Sequence, residues 1–401
     1  MSEIRVTNVL GENGNSPVNF TKGINMSGIV TATSFVPTVG QLSHRNKIIN
    51  GGMNVSQRQT SSTNSSVFVV DRFKAEVTQM DQLVQTLEQS SDSPDGFGKS
   101  IKITTTTPET SIASNEQFRI QTKLEGQDFQ DLEYGGSSAK TITISFYVKA
   151  SVTGTFGFTV FRSESTNRVI TAPYTISSAD TWERKIITIP GDTAGAAITN
   201  DNAERFRLMW GLAAGGDYTT ASSSWGNYSS ANLLGGHVTN TLVTTDNATW
   251  QLAGVQLEVG SVATPFEHRS FADELTRCSR YLQIFHVPTS NSKRASNITA
   301  TVHGAGNGVY LNVAFIHPMR VAPSVTVDGA FGGNVFTGGW SGDTLSSITA
   351  EYETDALSTL GFNGITSASI SGSGRTVGLT GQIYTANNGS NDAALIYSAE
   401  L

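Results

Sequence analysis

Thr141-Ile142-Thr143-Ile144-Ser145-Phe146-Tyr147-Val148 alternates polar and apolar side chains along most of its length. Successive side chains of a pleated strand point to opposite faces, so this segment reads as a strand with one wet face and one core face. Working outward, strand signals recur at short intervals. On the N-terminal side they are Val67-Phe68-Val69-Val70, Ser100-Ile101-Lys102-Ile103-Thr104 and Glu116-Gln117-Phe118-Arg119-Ile120. On the C-terminal side come Thr155-Phe156-Gly157-Phe158-Thr159-Val160-Phe161 and Glu183-Arg184-Lys185-Ile186-Ile187-Thr188-Ile189. Arg205-Phe206-Arg207-Leu208-Met209-Trp210 and Trp250-Gln251-Leu252-Ala253-Gly254-Val255-Gln256-Leu257 complete the series. Short strands in close succession mark a sandwich or barrel. Over residues 43–269 they predict a two-sheet jelly roll.

Composition points the same way. Only 15% of the 401 residues are charged and 40 are glycine. Ser, Thr, Asn and Gly are poor helix formers, whereas Thr suits strand faces and Gly and Asn suit turns. A net charge of −7, with no basic run denser than Lys293-Arg294 near Arg277 and Arg280, argues against a nucleic-acid partner. No apolar stretch of roughly twenty residues predicts a membrane span. Met1-Ser2-Glu3-Ile4-Arg5 lacks the apolar segment of a secretory signal. The single cysteine, Cys278, leaves no internal disulfide framework. These features predict a chain made and folded in a cytoplasm, without oxidative cross-links.

Residues 1–42 differ from the rest, being turn-rich with apolar residues in ones and twos. Such a segment buries too little apolar surface to offset its own ordering entropy. It is expected to order by wrapping a partner or by intertwining with copies of itself, with Gly28-Ile29-Val30-Thr31-Ala32-Thr33-Ser34-Phe35 as a strand; a floppy tail is the alternative. Residues 270–284 predict a helical joint over Phe271 to Leu282. Ser270 caps it, Asp273 and Glu274 occupy the first turn, and Arg277 and Arg280 lie near the end. Phe271, Leu275, Cys278 and Leu282 trace an apolar stripe, which makes Cys278 a packing residue. Residues 285–401 predict a second β-sandwich, with strands at Gly308-Val309-Tyr310-Leu311-Asn312-Val313-Ala314-Phe315 and Ala394-Leu395-Ile396-Tyr397-Ser398-Ala399-Glu400-Leu401.

Several segments carry a family likeness. Asn46-Lys47-Ile48-Ile49-Asn50-Gly51-Gly52-Met53-Asn54-Val55-Ser56-Gln57-Arg58-Gln59 resembles the opening motif of jelly-roll modules in phage structural proteins, modules similar to carbohydrate-binding modules. Leu252-Ala253-Gly254-Val255-Gln256-Leu257-Glu258-Val259-Gly260, with Ala263-Thr264-Pro265-Phe266-Glu267, resembles their closing motif. Arg277-Cys278-Ser279-Arg280-Tyr281-Leu282 is similar to the joint that follows. Phe315-Ile316-His317-Pro318-Met319-Arg320-Val321-Ala322-Pro323-Ser324 resembles the C-terminal domain of phage tail-fibre proteins. The first thirty-five or so residues are similar to virion-attachment segments of marine phage appendages. Where such modules often carry Asp-Arg-Trp, this chain has Asp71-Arg72-Phe73, which removes an indole donor while keeping an aromatic for packing. The likeness implies a homotrimeric virion fibre subunit that docks on other virion proteins through residues 1–42 and reaches a host surface glycan. Its sharp motifs specify a scaffold, so glycan binding follows only by analogy. A purely structural head, neck or baseplate decoration is the alternative.

No enzyme is expected. The six histidines, His44, His237, His268, His286, His303 and His317, have no metal-ligand spacing. Glu351 and Glu353 share one strand face but read as a solvated edge rather than a hydrolytic pair. No nucleophile elbow, phosphate loop or His-Glu-x-x-His occurs, and Gly304-Ala305-Gly306-Asn307-Gly308 reads as a hairpin loop. No cofactor is implied. A structural calcium ion is admissible, with Asp92, Asp95, Asp217 and Asp246 as loop candidates. Two aromatic loops are candidates for sugar. The first carries Tyr218, Trp225 and Tyr228 among small polar residues, where an exposed ring could stack on a pyranose or Trp225 could pack into the sandwich. The second carries Phe336 and Trp340 among glycines, where receptor contact and trimer packing compete.

Overall fold

The alternating segments become strands. In chain order these are β1 (Ser61–Ser62), β2 (Lys74–Thr78), β3 (Val84–Ser90), β4 (Ser100–Thr107), β5 (Gln117–Glu125), β6 (Ile142–Ala150) and β7 (Gly154–Phe156). There follow β8 (Phe158–Arg162), β9 (Arg168–Thr171), β10 (Tyr174–Ile176), β11 (Glu183–Ile189), β12 (Glu204–Ala214), β13 (Gly226–Asn227) and β14 (Thr249–Val259). The structure, a computed structural model, describes residues 43–63, 66–287, 299–302, 308–321, 323–328, 345–350, 363–370, 380–382 and 393–401. All of these belong to one unit, Val39–Leu401. The expected segment 1–42, the distal aromatic loop with Phe336 and Trp340, and the Glu351/Glu353 pair lie outside the described residues.

Two six-stranded antiparallel sheets face each other, a first in the order β1-β3-β4-β14-β6-β11 and a second in the order β13-β9-β8-β12-β5-β2. This is the all-β jelly-roll sandwich expected from the strand spacing. On β6, Ile142, Ile144, Phe146, Val148 and Ala150 all point inward and are fully buried. Opposite them sits Trp210 of β12, ringed by Phe158 at 5.2 Å, Phe146 at 5.8 Å and Phe73 at 6.2 Å between centroids. Phe73 thus keeps the packing expected of it.

Three local expectations need correction. Residues 67–70 form no named strand. Arg72, at φ 71°, turns the chain back so that Phe68 makes only an isolated bridge to Lys74. The expected strand over 155–161 breaks at Gly157, where a Cβ would come within 2.8 Å of the Leu234 carbonyl oxygen. Its first part, β7, pairs with β10 instead. The helix also stops early. It spans Phe271–Ser279 (α2, after a single turn α1 at Thr241–Thr244), with Ser270 Oγ accepting from the Asp273 amide at 3.2 Å. Leu282 already belongs to the next strand, and Phe271 is exposed rather than part of the buried stripe. Cys278 is buried as expected, which pushes its thiol well above the ordinary range.

The opening and closing motifs interlock. The Val255 amide donates to Gly51 O at 2.9 Å, and Asn46 bridges Val255 O and the Leu257 amide through its side-chain amide. A Cβ on Gly51 would lie 2.1 Å from Val255 O, so only glycine permits this approach. Beyond the helix come β15 (Leu282–Val287), β16 (Thr299–Val302), β17 (Gly308–Ala314), β18 (Ser324–Asp328) and β19 (Leu345–Ala350). The last strands are β20 (Asn363–Ile370), β21 (Thr380–Gln382) and β22 (Ala393–Ser398). They form a β15-β22-β18 sheet and a β19-β20-β17-β16-β21 sheet.

Buried ions join the distal strands to the sandwich. Glu125, at the end of β5, accepts both arms of Arg280 at 2.8 Å each and the Tyr281 hydroxyl. Arg72 stacks on Tyr281, 3.4 Å from the ring centroid, and pairs with Glu400. Arg320 donates to Ala399 O at 2.8 Å and Asn202 O at 2.9 Å.

Candidate functional site

Strand alternation sorts the second sheet into two faces. Phe118, Ile120 and Leu124 of β5 enter the core, which sends Gln117, Arg119, Gln121 and Lys123 to the opposite side. By the same rule β2 turns out Lys74 and Glu76, β12 turns out Arg207 and Met209, and β8 turns out Thr159 and Phe161. Register brings these side chains together. Glu76 lies opposite Arg119 and Lys74 opposite Gln121, Arg207 lies opposite Lys123, and Phe161 lies opposite Arg207. The result is one outward face over four neighbouring strands, about 14 Å across at ~4.8 Å per strand spacing.

The charged groups on this face hold one another. Gln121 donates to Glu76 at 2.8 Å and Lys74 donates to it at 3.2 Å, while Arg119 pairs with the same carboxylate. Arg119 also donates to Gln117 at 2.6 Å and to Gln121 at 3.1 Å. Further along, Glu204 takes Lys123 at 2.9 Å and Arg207 Nε at 2.7 Å. Burial by itself would raise the Glu76 carboxyl, but Arg119 and Lys74 more than offset this and hold it below the ordinary carboxylate range.

One end of the face is roofed by the first aromatic loop. Gly211 of β12 allows the close approach, since a Cβ there would press on His237 Nδ1 and Leu234 at 3.2 and 3.3 Å. Met209 faces outward yet is fully buried, packed with Phe161, Ala214, Leu233 and Leu234, and Tyr218 and Tyr228 lie against that cluster. Tyr228 meets Phe161 edge to face at 5.1 Å between centroids. The Arg207 guanidinium stands 5.1 Å from the Phe161 ring centroid. A half-buried tyrosine therefore borders the charged network. At the other end, Phe68, Arg72, Glu400 and Leu401 close a small pocket with Lys74, Gln121 and Lys123.

The predicted site residues part company here. Tyr228 reaches the charged face. Tyr218, also half-buried, donates its hydroxyl to Asn115 O at 3.2 Å. Trp225 turns the other way: its indole N–H donates to Pro190 O at 2.7 Å, and its ring packs edge to face on Tyr134 at 5.9 Å. Phe336 and Trp340 lie outside the described residues. The aspartates considered for calcium do not converge. Asp92 accepts from Lys149, from Gln251 at 3.0 Å and from the Trp182 indole at 3.3 Å, while Asp217 accepts from Ser114 at 3.0 Å. Among the described residues no group of three or more His, Cys, Asp or Glu is placed to hold a metal ion. No helix among them is long and apolar enough to cross a membrane.

The site reading missed Glu76, Arg119, Gln121, Lys123 and Arg207. A signal for part of it was present: Gln117, Arg119, Gln121 and Lys123 are polar at every second position of a strand. Chemically, such a face offers fixed donors and acceptors beside a partly exposed aromatic ring, the elements that orient a polar ligand.

No protein-family model matches the chain, and no curated protein does. Among solved structures it is similar to the enzymatically active domain of tailspike protein 4 from bacteriophage CBA120, with 9% identity and a TM-score of 0.29. That likeness covers 54% of this chain and 21% of the tailspike chain. It is also similar to the family 11 carbohydrate-binding module of Clostridium thermocellum, solved with a β-1,3-1,4-mixed-linked tetrasaccharide, at 10% identity, TM-score 0.26, and 52% and 100% coverage of the two chains. A third likeness is to TmCBM61 in complex with β-1,4-galactotriose, at 7% identity, TM-score 0.28, and 54% and 99% coverage. Each likeness spans about half of this chain, and the jelly roll described above rests on the chain's own two sheets.

Proposed function

We propose that this chain is the subunit of a homotrimeric phage virion appendage that attaches the particle to its host by binding a cell-surface glycan on the outward face of β2, β5, β12 and β8. The observation that carries the binding reading is the placement of half-buried Tyr228, edge to face on Phe161, beside the Arg207 guanidinium that shares Glu204 with Lys123. A sugar hydroxyl is both donor and acceptor, and this face presents the partly exposed Lys74, Glu76, Lys123 and Arg207, held in place by their ion pairs and by buried Arg119 and Gln121 beneath them, so little ordering entropy remains to be lost on binding. In this reading residues 1–42 hold the subunit on the virion. Weak single sites suffice because several copies engage together.

The proposal is for binding without hydrolysis. A glycosidase needs a carboxyl kept protonated as general acid. Glu76 is held below its ordinary range by two cations, and Glu204 is engaged by Lys123 and Arg207. Release of reducing ends from host polysaccharide by the purified protein would sink this part. The binding part is tested by glycan-array screening of the full chain against Tyr228→Ala. Loss of the wild-type signals in the variant is the expected result, and equal signals would move the site elsewhere. Trimerisation is tested by mass photometry, where monomer alone at micromolar concentration would remove it.

The buried ionic joint favours a second reading, a rigid head, neck or baseplate adaptor that touches no host molecule. Immunogold labelling of intact particles with antibody against residues 285–401 separates the two. Label at the far ends of tail appendages supports attachment, and label on the head or against the neck supports the adaptor.

A further inference from the structure

The outward face carries more cations than its carboxylates can balance. Lys74, Arg119, Lys123 and Arg207 share Glu76 and Glu204, in a chain whose net charge is −7. The pocket at its edge does not restore the balance, because Glu400 there is already paired with Arg72 and Arg58. Arg207 and Lys123 stand directly opposite each other across β12 and β5. Like charges in that position destabilise a sheet, and among the described residues the carboxylate that pairs with both is Glu204. Arg207 spends Nε and Nη2 on Glu204, and its Nη1 has no protein partner among the described residues. The side chains of Lys74, Lys123 and Arg207 are 30%, 23% and 20% exposed. They are reachable, yet sheltered enough that solvent screens them less than free surface lysines.

We infer that the ligand of this face is an anionic glycan, a saccharide carrying carboxylate or sulfate groups that settle against Lys123 and Arg207 beside Phe161 and Tyr228. The inference rests on the glycan-binding reading above and narrows it to a substrate class. A carboxylate or sulfate would take the free arm of Arg207 and a proton of Lys123 in charge-assisted hydrogen bonds, and would relieve the repulsion between the two cations. The uncharged rim of the same sugar would meet the half-buried Tyr228 ring, which covers Phe161.

The test measures the full chain on immobilised polygalacturonate, dextran sulfate and neutral dextran. Expected is binding to one or both anionic polymers but not to dextran, falling as salt rises from about 50 mM to about 500 mM. Arg207→Gln and Lys123→Gln should each weaken it about tenfold, the loss of one charge-assisted bond. Arg207→Lys, which keeps the charge, should retain more, and Lys102→Gln, on the other sheet, should change nothing. A preference for dextran sulfate over polygalacturonate, or the reverse, assigns the anionic group. Binding to neutral dextran or other neutral glycans alone, indifferent to salt and to R207Q, overturns the inference while sparing the glycan reading. An equal loss in K102Q also overturns it, since the effect would then be general charge. Absence of binding across a broad panel of neutral and acidic glycans ends both.

Discussion

Two regions of this molecule are rich in Arg, Lys and Glu, and they use them differently. At the joint, Glu125 receives Arg280 through both oxygens and the Tyr281 hydroxyl, and Arg72 is matched by Glu400. The two carboxylates here are buried, Glu125 fully, although Arg280 keeps a third of its side chain in solvent and Glu400 is shared with Arg58. On the outward face of the second sheet, four cations divide two carboxylates, and three of the four keep a fifth or more of their side chain in solvent. Cations held by buried carboxylates specify how two parts of a chain sit together, because any other arrangement strands a charge. Cations held by partly exposed carboxylates, as Glu76 and Glu204 are, gain little stability and leave charge available to something outside the chain. The contrast separates charge used for architecture from charge available for recognition.

The comparison can be broken most decisively at Glu125. Glu125→Ala leaves the buried Tyr281 hydroxyl without its acceptor and Arg280, a third of which is in solvent, without its partner, so urea or thermal denaturation should show a loss of about 2–3 kcal/mol. A cost under about 1 kcal/mol, the usual value for exposed pairs, would erase the distinction between the two regions.

The second test sets the pH at which the comparison is clean. His237 is buried beneath the loop that carries Tyr228, its Nδ1 accepts the Gly157 amide at 3.1 Å, and burial pushes its pKa down to about 4. The unfolded histidine takes a proton near pH 6.5, while the folded one resists until about pH 4. Stability is therefore complete above pH 6.5 and is lost as pH falls through that window, by about 3 kcal/mol at most. In His237→Asn, which keeps an acceptor, the decline between pH 7 and pH 5 should flatten. If it persists unchanged, another group is titrating.

Smaller effects sharpen the comparison. Trp225→Phe removes the bond to Pro190 O but keeps a ring against Tyr134, so it should cost about 1 kcal/mol and leave glycan binding intact. Loss of binding would bring Trp225 back as a ligand residue. Last, Arg207→Gln and Lys123→Gln should shift stability by under about 1 kcal/mol in either direction, since each also relieves like-charge repulsion. A penalty as large as that of Glu125→Ala would make these cations architectural as well.

Much of the architecture was legible. Period-two alternation over 141–148 marks β6 with its buried and wet faces, and Ser270 marks the helix start by a capping bond that forms as expected. Misreadings arose where a local signal competes with a distant contact. Residues 67–70 are as apolar as a strand, but the left-handed turn at Arg72 serves a guanidinium that must reach Tyr281 and Glu400. Helix periodicity continues to Leu282, but the Tyr281 hydroxyl is drawn to Glu125 and its carbonyl accepts the Ala399 amide at 2.8 Å, which starts a strand instead. In the aromatic loop, composition could not tell Trp225 from Tyr228. Both are rings among small polar residues, and only the path of the loop turns one onto Tyr134 and the other onto Phe161.

What the sequence by itself determined is the local order: strands from alternation, turns from glycine, a capped helix, and motifs whose glycines allow backbones to touch. These depend on neighbours a few residues apart, so they are written in the chain. What only the tertiary structure decided is which strands share a face. Glu76, Arg119 and Arg207 are separated by dozens of residues and meet because antiparallel register sets them opposite one another, and Arg72 meets Glu400 across 328 positions. The interaction of two charges depends on their distance in space and on the medium between them, and neither quantity exists until the sheets have formed.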